Sequence, residues 1–173
     1  MMKTYRPHLQ LPKTTFQIWL NVISYTIFIG AIIYSVFQLA TLPAEVPIHF
    51  NFAGEADGWG SKYILLVLPL IAIVMTVALE ALEKHPQLHN YPERLNESNV
   101  NAFYRTSIRT LNVLKNGILL LFAFLQIEII LAAKESDFTF GLFLPIFIGI
   151  VTIVPIVWHL ISISKIKQYK KCE

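Results

Sequence analysis

"FQIWLNVISYTIFIGAIIYSVFQLA", residues 16–40, runs for 25 residues without an Asp, Glu, Lys or Arg. An α-helix rises 1.5 Å per residue, so about 20 residues cross a hydrocarbon core of ~30 Å. This stretch is long enough to span, and it lacks the charged face of a soluble amphipathic helix. Three further blocks read the same way, which places spanning helices at about 16–40, 63–83, 111–133 and 140–164. The expected fold class is all-α: an integral membrane four-helix bundle with a structured outer loop at 41–62 and an inner loop at 84–110. Residues 1–173 then form a single polytopic membrane domain. Composition agrees, with 55% hydrophobic and only 14% charged residues, against about 25% charged in soluble domains.

The first block follows Lys3, Arg6 and Lys13, as a secretory signal would. Its apolar run is too long for a signal, and no small-residue cleavage pattern follows, so it is read as a retained helix. The sole cysteine, Cys172, forms no internal disulfide. Basic residues set the orientation. Twelve of the 14 Lys and Arg residues fall in the N-terminal arm, the 84–115 region and the tail; only Lys62 and Lys134 lie on the other side. Both termini are expected in the cytoplasm, with loop 41–62 outside. The net charge of +3 is thus topological, and no nucleic-acid partner is expected.

Between lipid-facing helices, small and polar residues supply the contacts. Gln17, Asn21, Ser24, Phe28, Ala31 and Ser35 recur at four- and three-residue steps on helix one, continuing to Gln38, and should face the bundle. Pro69, Ala72, Thr76 and Glu80 do so on helix two, and Asn112, Asn116, Ala123 and Gln126 on helix three. The helix-four stripe runs from Gly141 through Pro145, Ile148, Thr152 and Pro155 to His159 and Ser162, with His159 a hydrogen-bonding group of the bundle. Glu80 and Glu83 are expected to be solvated at the inner end of helix two. Glu128 lies five residues before the end of helix three, too deep to snorkel, and an intramembrane acid of this kind marks a functional candidate. It is expected to hold a proton or to take a hydrogen-bond partner such as His49.

The outer loop, "LPAEVPIHFNFAGEADGWGSKY" at 42–63, holds the most distinctive chemistry. Its IHFNF alternation suggests a short strand with Ile48, Phe50 and Phe52 turned inward and His49 and Asn51 outward. Gly54, the Asp57-Gly58 pair and Gly60 are read as turn residues. Trp59 and Tyr63 suit the interfacial belt, and Lys62 can snorkel at the mouth of helix two. His49, Glu55 and Asp57 are weak metal candidates, since one imidazole and two carboxylates can hold a divalent cation, but no cysteine or second histidine joins them. Neither a bound metal nor a cofactor is expected.

In the inner loop, His85-Pro86 and Tyr91-Pro92 prevent a continuous helix. Asn96 is the expected N-cap of a helix that runs on into helix three. His85 and His89 are read as solvated.

The stretch from Leu42 to Lys62 resembles the signature of a bacterial membrane domain of unknown function, number 1648, which also forms the N-terminal part of SdpI-type toxin-immunity proteins. The segment His89-Asn90-Tyr91-Pro92, followed by Asn99 and Tyr104-Arg105, is similar to that family's second characteristic stretch. The resemblance covers about residues 16–133. It departs from the SdpI-type pattern after helix four, where those proteins carry a further multi-helix segment. It implies a multi-pass protein of the bacterial plasma membrane. The implied roles are protection against a membrane-active extracellular peptide or signalling its presence to a cytoplasmic regulator. The binding set it suggests is Pro47, His49, Asn51, Gly54, Glu55, Asp57, Trp59 and Lys62 outside, to which Glu128 is added as the intramembrane acid. The alternative is a metal- or proton-dependent transport subunit of a larger assembly. No nucleophile elbow, HExxH or phosphate loop is present, so an enzyme is not expected.

Overall fold

The computed structural model describes residues 6–51, 53, 55–135 and 143–167. Four helices, α1 (Thr15–Gln38), α2 (Ile64–Lys84), α3 (Val100–Lys134) and α4 (Phe143–Ser164), are each long and apolar enough to cross a membrane. A two-stranded antiparallel hairpin, β1 (Glu45–Phe50) and β2 (Ala56–Ser61), joins α1 to α2. A single 3-10 turn at Pro86–Leu88 follows α2. The expected four-helix membrane fold is thus the one observed, with the outer loop structured as a hairpin.

α3 is the axis of the molecule, because α1, α2, α4 and β1 all pack on it. α1 opens with a capping box: Thr14 Oγ1 accepts from the Gln17 amide at 3.3 Å, and Gln17 Oε1 accepts from the Thr14 amide at 2.9 Å. Its buried residues are Gln17, Ser24, Phe28, Ala31 and Ser35, the stripe expected from spacing. The stripe meets α3 through Asn21–Asn112 at 3.0 Å and Ser35–Gln126 at 3.0 Å. Phe28, Ala31, Ala72, Leu119 and Ala123 close the middle of the bundle as an apolar cluster. Outward, rows of Ile, Val and Leu on α1, α2 and α4 remain exposed, as lipid-facing surfaces should.

Four expectations need correction. The helix expected to run on into the apolar block from 111 does so, as one α3 continuous from Val100, but Asn99 rather than Asn96 stands in its N-cap position. Asn96 instead accepts from the Ser98 amide at 2.9 Å, a local turn. At 35 residues α3 is about 52 Å long, so roughly 20 Å of it extends past the hydrocarbon core. Second, Glu80 and Glu83 are not both solvated. Glu83 is 4% exposed and both carboxylates are paired. Third, the α4 stripe is only partly turned inward: Pro155 is buried, whereas Pro145 and Ile148 are exposed, because α3 is the main packing partner of α4. Gly141 lies outside the described residues. His159 does act within the bundle, sharing a 2.9 Å hydrogen bond with Thr110.

The fourth correction concerns the hairpin. Val46 and Pro47 are its buried residues, while Ile48 is exposed and Phe50 half-buried. Register shifts between Pro47 and His49, and between His49 and Phe50, break the strict alternation and rotate Ile48 outward. Phe52 lies outside the described residues. Val46 seats the hairpin on the bundle, in a cluster with Leu42, Leu65, Ile129 and Ile130. Gly58 and Gly60 sit within β2, not in turns.

Candidate functional site

At the hairpin, Asn51 organises the connection between the strands. Its Oδ1 accepts from the Ala53 and Glu55 amides at 2.9 and 3.0 Å, and its Nδ2 donates to Glu55 Oε2 at 2.9 Å. This is an Asx-type turn with the following carboxylate as its clasp. His49 Nδ1 and Asp57 Oδ1 are 2.5 Å apart across the strands, on an exposed face. Glu55 is therefore committed to Asn51 and does not join His49 and Asp57. Among the described residues no group of three or more His, Cys, Asp or Glu side chains is placed to hold a metal. Gly54 lies outside the described residues. Trp59 is exposed opposite the buried Pro47. Lys62 does not snorkel at α2; its ammonium donates to the Leu39 and Leu42 carbonyls at 2.7 and 3.1 Å, capping the C-terminal end of α1.

Glu128 lies fully buried in α3, and among the described residues neither carboxylate oxygen has a hydrogen-bond partner. The expected bond to His49 is absent, since the exposed His49 ring is turned to Asp57.

The opposite end of the bundle carries a charge cluster that the sequence reading missed. Lys115 is completely buried in α3 and pairs with Glu80, and with Glu83 at 2.8 Å. Lys13, from the N-terminal arm, reaches the same acids at 3.0 and 3.4 Å. Burial pulls the Lys13 ammonium down, but the two carboxylates outweigh it and hold it above its ordinary value. Asn112 Nδ2 donates to Glu83 at 3.3 Å and to Asn21 at 3.0 Å; Asn116 donates to Asn21 at 2.7 Å, and Ser24 donates to Asn116. A cavity of about 620 Å³ opens onto Lys13, Glu80 and Glu83, with His8 and His85 in its wall. The available signal was Glu80 and Lys115 inside apolar blocks, where a charge needs a partner.

The second motif builds a cap at this same end. Tyr91 stacks on Tyr104 at 5.3 Å and meets Phe103 edge-on at 5.9 Å, in a cluster with Leu95 and Val100. His89 is not solvated: Nε2 donates to the Leu82 carbonyl at 2.9 Å, so Nδ1 accepts from the Ser107 hydroxyl at 2.7 Å. Burial holds this imidazole below its ordinary value of 6.5 despite the Leu82 carbonyl, and pushes the Tyr91 phenol up to about 12. Asn99 is buried, donating to the Arg94 carbonyl at 3.0 Å. Arg6 ties the N-terminal arm to the His89 carbonyl at 3.0 Å. Asn90 and Arg105 stay exposed, with Arg105 Nε on Asn101 at 2.8 Å, and Pro92 is half-buried.

Fold and site together define a multi-pass membrane protein: three helices around a central one, a hairpin on one end and a folded cap on the other. Residues 26–73 match the model of a domain of unknown function, DUF1648, so the resemblance of the loop motif holds over the second half of α1, the hairpin and the first half of α2. An uncharacterised protein of Archaeoglobus fulgidus is 32% identical over 68 residues, covering 35% of this chain and 37% of that one. No solved structure matches.

Proposed function

We propose that the chain is a bacterial plasma-membrane module, both termini cytoplasmic, that senses or blocks a membrane-active extracellular peptide through its hairpin and acts on a cytoplasmic regulator through its cap. It is not an enzyme in this reading. One observation carries it: the hairpin core and the cap core are built on the same helix, at Ile129–Ile130 and at Phe103–Tyr104 of α3. A rigid helix reaching from one surface to the other can pass a displacement at Val46 to the Tyr91–Tyr104 stack. Exposed Trp59 gives the hairpin an apolar contact point. In cells challenged with a panel of cationic membrane-active peptides, the chain should raise survival against at least one. Trp59→Asp should abolish that protection while the protein still accumulates in the membrane. Equal survival with and without the chain, or full protection by the variant, would overturn the proposal.

The alternative, a proton-coupled transport subunit, is favoured by the Lys13–Glu80–Glu83–Lys115 cluster at an open cavity. Against it stands the apolar cluster around Phe28 and Leu119, which separates that network from Ser35 and Gln126. Proton flux through liposomes containing the purified chain, lost in Glu80→Gln, would favour transport.

A further inference from the structure

The crevice between α1 and α4 takes no part in the proposed sensing, yet its two ends are chemically distinct. Both helices pack on α3, and where they approach the cap the gap between them is a cavity of about 290 Å³. Its lining includes Thr14, Gln17, Arg105, Arg109, Trp158 and Ser162. The Arg109 guanidinium is held between two rings, 5.4 Å from the Phe16 centroid and 5.0 Å from that of Trp158. Among the described residues neither arginine is paired with a carboxylate.

Gln17 supplies an independent sign of a missing acceptor. It is 3% exposed, and its Oε1 is fixed by the Thr14 amide at 2.9 Å and hydroxyl at 3.0 Å. Its amide nitrogen is thereby turned away from Thr14, and among the described residues it has no hydrogen-bond partner. A buried donor left unmade is costly, and an anion in the cavity would remove that cost. The N-terminus of α1 opens on the same cavity, and its dipole favours negative charge.

Deeper in the same crevice the chemistry changes. Ten residues along α1, roughly 15 Å, an apolar groove of about 490 Å³ is lined by Ile27, Gly30, Ala123, Phe124 and Phe147. A Cβ added to Gly30 would meet nothing within 4 Å, so the groove is open there. We propose that the crevice holds one anionic phospholipid, its phosphate on Arg105, Arg109 and Gln17 and an acyl chain in the Gly30–Phe147 groove. A free phosphate would use only the polar end, and a partner helix only the apolar one. The succession of the two along a membrane-spanning crevice selects a lipid.

The full chain, purified in a neutral detergent, is titrated with phosphatidylglycerol, phosphatidylcholine or inorganic phosphate and read by native mass spectrometry and thermal shift. One phosphatidylglycerol per chain should survive desolvation and raise the melting temperature, with phosphatidylcholine much weaker. Combining Arg105→Gln with Arg109→Gln should weaken phosphatidylglycerol binding about thirtyfold, as expected for two surface cation contacts. Gly30→Leu sets a side chain into the groove from a position where an added Cβ meets nothing within 4 Å, and should weaken lipid binding with the fold intact. Equal binding of the two lipids, unaltered by the arginine variants, would overturn the anion site. Stabilisation by phosphate equal to that by lipid, with Gly30→Leu silent, would overturn the lipid assignment.

Discussion

Gly58 and Gly60 stand two residues apart on β2 and are constrained by different neighbours. A Cβ on Gly58 would lie 2.9 Å from His49 Cβ, a stem atom that moves only with its backbone. A Cβ on Gly60 would meet the Ile48 δ-methyl at 2.7 Å, the far end of an exposed, flexible side chain. Gly58→Ala should therefore cost about 1–3 kcal/mol through overpacking, and Gly60→Ala clearly less, as read by thermal melting in detergent. His89 gives a second outcome at this scale. Its folded-state value lies below the 6.5 of the free side chain, so the unfolded chain takes up the proton first. Its contribution is present above about pH 6.5 and is lost as pH falls toward the folded-state value. Amide hydrogen exchange in segment 84–110 should accelerate as pH falls through that window, after correction for intrinsic exchange, and His89→Gln should flatten the dependence. The sequence pointed to His49, Asp57 and His89 as chemistry but not to their partners. Asn51 claims Glu55 through turn geometry, and Leu82 and Ser107 claim His89 through helix packing; neither follows from spacing alone.

Among the elements, α1 was the most legible, because polar residues at helical spacing in an apolar background have only the bundle to face. The start of α3 was legible in kind but not in position: a helix running on into helix three was expected, but its N-cap was read as Asn96 and not Asn99, because Asn96 takes the Ser98 amide in a local turn instead. The hairpin misled in another way, since two register shifts within six residues overturn a period-two reading. The coupling of α2 to α3 through charge was also hidden, because partners 35 residues apart leave no local pattern. Lys115→Met should leave the buried Glu83 with Lys13 as its one charge partner among the described residues and cost about 3–5 kcal/mol, measured by unfolding in a graded denaturing-detergent titration. Lys13→Met, at the more exposed edge of the cluster, should cost no more than about 1 kcal/mol.

At the scale of the whole molecule, the hairpin and the cap lie at opposite ends of one bundle, and twelve of the 14 basic residues belong in sequence to the N-terminal arm, the 84–115 region and the tail. Hydrophobic block length alone made the four spans legible, because the bilayer imposes a single length on any helix that crosses it. The central claim is that the membrane separates the hairpin from the cap, with the cap in the cytoplasm. Single cysteines at Ser61 on β2 and Ser98 before α3, both exposed positions, placed in a Cys172→Ser background, test it directly with a membrane-impermeant thiol reagent. In intact cells Ser61→Cys should label and Ser98→Cys should label only after lysis. Labelling of Ser98→Cys without lysis, or protection of Ser61→Cys, would contradict the account.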